Sequence, residues 1–91
     1  MHRALFLDRD GVINKKAPEG RYITHWEAFE FLPGAIEAIQ KLNNLGFMVV
    51  IVTNQQGIAK KLMTDSDLET IHANMIEKLK EADTKVAAIY Y

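Results

Sequence analysis

The sequence has no cysteine, only two prolines and no long apolar run. Without cysteine, these 91 residues can form neither a disulfide nor a thiolate metal site. The longest apolar run, Phe47 to Val52, is too short to span a bilayer, and the N-terminus shows no secretory signal pattern. We therefore predict a cytoplasmic protein that has no membrane as a partner.

Neither sign of charge dominates, since 11 Lys and Arg stand against 12 Asp and Glu. This balance gives no reason to expect nucleic acid as a partner. Hydrophobic residues make up 48% of the chain and charged residues 25%, which is typical of a globular protein. At this length, we predict a single domain over residues 1–91.

Short apolar runs predict the strands of a parallel sheet. Residues 4–7 and 47–52 lack the polar alternation of a sheet with one wet face, so we expect them to be buried on both faces. Residues 85–91 are predicted to form a third strand. With a helix in each connection, the order is β-α-β-α-β, and the fold class is α/β: a partial three-layer, Rossmann-like parallel sheet.

Two helices are predicted between these strands. Apolar residues at helical spacing predict a helix over 34–45. A second helix begins at Thr64, whose hydroxyl forms a capping box with Asp67. Its predicted inner stripe is Leu68, Ile71, His72, Met75 and Leu79. We expect His72 to be a core or boundary histidine, and we expect the lysines of this half to be solvated.

Residues 14–32 do not fit the alternation, because Pro18 and Gly20 interrupt them and their aromatics show no sustained period. We predict a loop or small flap that overhangs the carboxyl end of the first strand, where open parallel sheets bind ligands. The aromatic residues of this flap are expected to pack it down.

The first strand leads into two carboxylates, Asp8 and Asp10, followed by Gly11. Side chains two apart in extended chain point the same way, so both can face one centre. At 4 Å they would repel by roughly 4 kcal/mol at an effective dielectric of about 20, which a bound Mg²⁺ would relieve. Alone, this spacing also fits a solvated turn, and Arg9 is expected to be a surface or packing residue.

The second strand ends in Thr53, Asn54 and Gln55, which bring a hydroxyl and amides to the neighbouring strand end. These groups suit an anion. A carboxylate nucleophile, a divalent cation and an anion cradle together are the apparatus of phosphoryl transfer through an aspartyl-phosphate.

Residues 6–13 (FLDRDGVI) and 52–59 (VTNQQGIA) resemble the first and second motifs of haloacid dehalogenase-type phosphatases. Residues 29–34 (FEFLPG) and 88–91 (AIYY) are similar to the histidinol-phosphate and heptose-bisphosphate phosphatase branch. The resemblance covers essentially the whole chain. It implies a phosphatase acting on a small phosphorylated metabolite with Mg²⁺ as cofactor.

The resemblance also implies roles for the two carboxylates. Asp8 would be the catalytic nucleophile and a Mg²⁺ ligand. Asp10 would be the general acid and base, and its backbone carbonyl would contact the metal.

Substrate contacts are implied for Thr53 and Asn54 on the phosphoryl group and for Gln55 nearby. In the family the second motif usually continues with arginine and glycine, where this chain has Lys60 and Lys61. Lys60 keeps the charge but not the bidentate fork, so it is the weakest of the predicted substrate contacts.

The family also uses a third-motif lysine and a fourth-motif acidic residue, both beyond the third strand. In many members of the branch a cysteine-rich zinc loop follows the Tyr-Tyr pair, so zinc is expected only beyond residue 91 and no zinc ligand is assigned here. We therefore expect the N-terminal part of a phosphatase domain, with incomplete catalysis and self-association through an exposed sheet edge.

Two other functions remain open from the sequence. One is a phosphate-binding or metal-binding module without turnover. The other is a receiver-like regulatory domain, which also has acidic residues near its first strand. A dinucleotide-binding half-fold is disfavoured because no Gly-x-Gly-x-x-Gly follows the first strand.

Overall fold

A computed structural model describes residues 3–54, 58 and 60–91 of the chain, and these form a three-stranded parallel sheet. The strands are β1 (Arg3–Asp8), β2 (Phe47–Val52) and β3 (Ala88–Tyr90), in the spatial order β1-β2-β3. The α/β class and the parallel order are as predicted. The third strand is shorter than expected.

Among the described residues, the helices that connect the strands are α1 (Ala35–Asn44) and α2 (Asp65–Glu81). The predicted helix over 34–45 is confirmed within one residue at each end. The predicted capping box is also confirmed. The Asp67 amide donates to the Thr64 hydroxyl over 3.1 Å, and the Thr64 amide donates to the Asp67 carboxylate over 2.8 Å.

The core forms a single apolar cluster between the helices and one face of the sheet. From the sheet it takes the alternate residues Leu7, Val49, Ile51 and Ile89, and from α1 it takes Ile36, Ile39 and Leu42. All residues of the predicted inner stripe of α2 are buried, His72 included. Burial of this stripe fixes the rotation of α2 over the sheet.

The other sheet face is open, so the prediction that both first strands are buried on both faces is wrong for β1. Phe6 is 68% exposed, and Met48 on β2 is 43% exposed. Right-handed crossovers between strands in consecutive spatial order place both helices on the same side of a sheet. Within the described ranges, the helices therefore cover one face, and only the centre of β2 is buried on both sides.

Residues 14–32 form a loop whose two ends are held together at its base. The Lys15 amide donates to the Glu30 carbonyl and the Leu32 amide to the Ile13 carbonyl, each over 2.9 Å. Within the loop lies a short 3₁₀ helix, Trp26–Ala28. The aromatic residues of the loop pack against one another, as expected. Trp26 stacks on Phe29 with 5.0 Å between ring centroids, and Phe31 lies edge-on to Phe29 at 5.1 Å.

None of the helices in the described part of the chain is both long enough and apolar enough to cross a membrane.

Candidate active site

A cleft of about 220 Å³ lies where β1 and β2 end. Asp8 and Val52, the last residues of the two strands, are paired in register, so the segments that follow them start side by side. The cleft is lined by Asp8, Arg9, Asp10, Val52, Thr53 and Asn54. The structure therefore brings four of the predicted site residues to one place: Asp8, Asp10, Thr53 and Asn54.

A tight turn after β1 shapes one wall of this cleft. The Arg9 carbonyl accepts hydrogen bonds from the amides of Ile13 and Asn14, over 2.8 and 3.1 Å, and the Gly11 amide donates to the Asn14 carbonyl over 2.7 Å. Gly11 has φ +88°, a conformation that side-chain-bearing residues rarely adopt. In the described part of the chain, the Asp10 carbonyl accepts none of the backbone hydrogen bonds of this turn, which leaves it available to a cation.

Four donor groups hold the Asp10 carboxylate. Its Oδ1 accepts from Asn14 Nδ2 at 2.9 Å and from Arg9 Nη2 and Nε at 2.9 and 3.1 Å. Its Oδ2 has the longer contacts, 3.2 Å to Arg9 Nη2 and 3.3 Å to Thr53 Oγ1. Because Oδ2 is held less closely, it is the oxygen better suited to exchange a proton with a group in the cleft.

Arg9 pairs with Asp10 from inside the protein, a role that the sequence pattern did not predict. Its side chain alternates with those of Asp8 and Asp10, so it turns inward and is 1% exposed. Beyond the ion pair, Nη1 lies 3.1 Å from His72 Nε2, and the guanidinium carbon lies 5.9 Å from the centroid of the Phe29 ring. The alternation of side chains could have predicted this position, because it points Arg9 away from the cleft and into the protein. A buried guanidinium requires acceptors, and His72 was predicted on the helix stripe that faces the sheet.

His72 is 7% exposed, as expected for a core or boundary histidine. The pKa of His72 is lowered from 6.5 to about 4, first by burial and second by the positive charge of Arg9, against an opposing effect of Asp10. The ring is therefore neutral at ordinary pH.

Asp8 differs from Asp10 in its surroundings. It is exposed, and its carboxylate has no hydrogen-bond or ion-pair partner among the residues that the structure describes. From the sequence, we predict that a cation relieves the repulsion between the two carboxylates. The structure instead pairs Asp10 with Arg9 and leaves Asp8 as the carboxylate open to a ligand.

The donor set fits Mg²⁺. The Asp8 carboxylate and the Asp10 carbonyl are hard oxygen donors, and Mg²⁺ typically takes one or two carboxylates while keeping water and phosphate oxygens in its other positions. No group of three or more His, Cys, Asp or Glu side chains able to hold a metal occurs within the described ranges.

The flap forms the wall of a second cavity, about 180 Å³, which shares Arg9, Asp10 and Asn54 with the first. Lys16, Arg21 and Tyr22 line it from the flap side. The predicted substrate contact Lys60 lies outside the first cleft, with its ammonium 5.4 Å from the centroid of the Tyr22 ring. Gln55, the remaining predicted contact, lies outside the described residues.

Comparison with known proteins gives a consistent result. The family model described as polynucleotide kinase 3 phosphatase matches residues 4–90. The chain is 41% identical over 88 residues to D-glycero-beta-D-manno-heptose-1,7-bisphosphate 7-phosphatase of Salmonella typhi, covering 97% of this chain and 45% of that protein. It is 48% identical over 71 residues to the corresponding alpha-heptose 7-phosphatase of Mycobacterium tuberculosis, covering 78% of this chain and 37% of that protein.

Solved structures agree with these relatives. The D,D-heptose 1,7-bisphosphate phosphatase of B. bronchiseptica, complexed with magnesium and phosphate, superposes with a TM-score of 0.90 at 33% identity, covering 97% of this chain and 48% of that one. The enzyme of the same name from Burkholderia thailandensis superposes with a TM-score of 0.75 at 34% identity, covering 98% of this chain and 52% of that one. The chain thus spans about half the length, or less, of the proteins that it matches.

Proposed function

Because the chain belongs to the polynucleotide kinase 3 phosphatase family of haloacid dehalogenase-like phosphatases, matching an N-terminal part of the heptose-bisphosphate branch, we propose that it carries the nucleophile and the acid/base of a Mg²⁺-dependent phosphomonoester hydrolase. The observation that carries this proposal is the difference between the two carboxylates of one cleft. Asp8 is exposed and unpaired within the described residues, whereas Asp10 is held in a fixed orientation beside it.

In the proposed first step, an Asp8 carboxylate oxygen attacks phosphorus and the bond to the leaving alcohol oxygen breaks. Protonated Asp10 gives its Oδ2 proton to that oxygen, so a neutral alcohol departs and an aspartyl-phosphate remains on Asp8. Thr53 and Asn54 line the same cleft and hold the phosphoryl oxygens.

In the second step, Asp10 takes a proton from water as the water oxygen attacks phosphorus. The bond between phosphorus and Asp8 breaks, so inorganic phosphate leaves and both carboxylates return to their starting states. Arg9 and Asn14 keep their hydrogen bonds to Oδ1 throughout, because only Oδ2 exchanges protons.

Mg²⁺ would be held by the Asp8 carboxylate and the Asp10 carbonyl, where it would neutralise charge on the phosphoryl oxygens. The solved relative from B. bronchiseptica carries magnesium and phosphate, which supports this cofactor. The 3.3 Å hydrogen bond from Thr53 to Asp10 keeps the hydroxyl at the edge of the same cleft.

The substrate class that we propose is a small phosphorylated sugar, since the relatives are named as heptose-1,7-bisphosphate phosphatases. The flap cavity adds a physical argument, because Lys16 and Arg21 put two positive charges next to the reaction cleft. Such a cavity suits a substrate that carries a second anionic group.

The family resemblance implies that a lysine and an acidic residue also stabilise the transition state, and neither is assigned among residues 1–91. The loss of one donor that stabilises the transition state typically lowers turnover about 100-fold to 1000-fold. A test on these 91 residues must therefore measure adduct formation as well as turnover.

The experiment incubates the chain with Mg²⁺ and p-nitrophenyl phosphate, and in parallel with Mg²⁺ and beryllium fluoride, a mimic of the aspartyl-phosphate observed by ¹⁹F NMR. We expect a Mg²⁺-dependent fluoride adduct that Asp8→Asn abolishes and that the control Asp65→Asn, an exposed carboxylate at the start of α2, retains. Binding of Mg²⁺ and inorganic phosphate with neither adduct nor turnover would favour the non-catalytic binding module. An adduct or turnover that survives Asp8→Asn would refute the nucleophile.

Self-association was expected through an exposed sheet edge, which stays a prediction; we propose the open sheet face as the contact, with a second copy of the chain as the occupant. Phe6, Met48, Val52 and Tyr90 are 68%, 43%, 36% and 62% exposed on this side. Together they offer on the order of 400 Å² of apolar surface, about half of what one partner gives to a standard interface. We therefore expect a weak dimer whose population depends on protein concentration.

A further inference from the structure

The contact between Arg9 and His72 determines where the histidine carries its proton. A guanidinium has only donors, so the 3.1 Å contact from Nη1 requires His72 Nε2 to be the acceptor. A neutral imidazole accepts at one ring nitrogen and donates at the other, which places the proton of His72 on Nδ1. A charged ring would set N–H against N–H and positive charge against positive charge in a buried place.

The same guanidinium connects this contact to the cleft. Its Nε and Nη2 donate to Asp10 Oδ1 over 3.1 and 2.9 Å. Because the guanidinium is planar and rigid, an acceptor that fixes Nη1 also fixes the directions of the other donors. Arg9 is 1% exposed, so water cannot readily replace His72 as the acceptor.

We propose that His72 is a positioning residue for Asp10: its Nε2 accepts from Arg9 and so holds the guanidinium that orients the Asp10 carboxylate. This inference rests on the proposed function in that Asp10 is there the acid/base. It gives α2 a part in the site, although the helix contributes no side chain to the lining of the cleft.

The surroundings of the ring support this role. Among the described residues, the charged groups that act on it are Arg9 and Asp10, and the centroid of the Tyr91 ring lies 5.9 Å from that of His72. Burial and Arg9 lower the pKa of His72 to about 4, so the acceptor nitrogen stays unprotonated at neutral pH. His72 thus acts as a permanent acceptor there.

The first test reads the ring directly. Long-range ¹H–¹⁵N NMR of the ¹⁵N-labelled chain at pH 7 is expected to show His72 with Nδ1 protonated and Nε2 unprotonated. A ring protonated at Nε2, or at both nitrogens, would overturn the proposal. The measurement needs no variant and no turnover, so it decides even if a substituted chain fails to fold.

The second test compares His72→Gln, whose amide oxygen can accept from Arg9, with His72→Leu, which has no acceptor. The probe is hydrogen exchange of the Asn14 side-chain amide, which donates to Asp10 Oδ1 over 2.9 Å in a fully buried position. We expect exchange at least about tenfold faster in His72→Leu, the scale of one lost charge-assisted hydrogen bond, and within about twofold of wild type in His72→Gln.

The matched control is Met75→Leu, a volume-conserving change at a buried position of the same helix stripe. It should leave the Asn14 exchange unchanged. Equal acceleration in His72→Gln, His72→Leu and Met75→Leu would mean that His72 merely fills space, which would refute positioning through Arg9.

A different experiment from the two His72 tests would refute the proposed function. If Asp10→Asn left turnover of p-nitrophenyl phosphate undiminished, Asp10 would not be the acid/base, yet the His72 tautomer and the Asn14 exchange would still report on the hydrogen-bond chain. Where turnover is measurable, we expect His72→Leu to lower kcat with little change in KM and His72→Gln to restore it, because substrate binding does not involve His72.

Discussion

The neutral, buried ring of His72 predicts that the chain loses stability as the pH falls. The pKa of His72 is about 4 in the folded state against 6.5 for an ordinary histidine. Between these values the unfolded chain binds a proton that the folded chain refuses, so stability falls as the pH drops from about 6.5 to about 4.

The magnitude follows from linkage. A pKa difference of about 2.5 units corresponds to about 3 kcal/mol of unfolding free energy once the pH is below 4. From pH 7 to pH 5 the same linkage gives a loss of about 2 kcal/mol, a large fraction of the stability of a small domain.

Urea denaturation at pH 7 and pH 5, followed by circular dichroism, measures this loss. His72→Gln removes the titration and keeps an acceptor for Arg9, so its loss between the two pH values should be about 2 kcal/mol smaller than that of wild type. His25→Gln is the control, because His25 is exposed and its ring forms a hydrogen bond only with the neighbouring Thr24 hydroxyl among the described side chains. Parallel losses in wild type and His72→Gln would refute the reasoning.

Three further predictions concern stability and association. Thr64→Ala removes the hydroxyl that caps α2 and should cost about 1 kcal/mol of unfolding free energy in urea denaturation; an unchanged midpoint would contradict the cap. Gly11→Ala should cost about 1–2 kcal/mol at φ +88° and weaken Mg²⁺ binding by calorimetry, since it disturbs the turn that presents the Asp10 carbonyl. Phe6→Ser should lower the concentration-dependent mass seen by light scattering, whereas Leu45→Ser, equally exposed but off the sheet face, should not; equal effects would exclude the open face as the contact.

Local patterns in the sequence were enough for the elements and for the place of the site. The capping box at Thr64 and the inner stripe of α2 depend on residues three and four apart, whose contacts are set by the helix itself. The meeting of Asp8 and Asp10 with Thr53 and Asn54 followed from a parallel order, because carboxyl ends of neighbouring parallel strands share one edge.

Tertiary structure decided what each carboxylate does. Alternation along the chain turns Arg9 away from the cleft, but no local pattern says that it meets His72, 63 residues away, or that it pairs with Asp10 and leaves Asp8 exposed. The open face carrying Phe6 likewise depends on strand order and crossover handedness. The sequence of an apolar strand does not show whether one or both of its faces are covered. The sequence by itself determined which groups stand at the cleft, and the packing of α2 on the sheet determined which of them are held and which remain open, because burial and charge pairing arise only where distant segments meet.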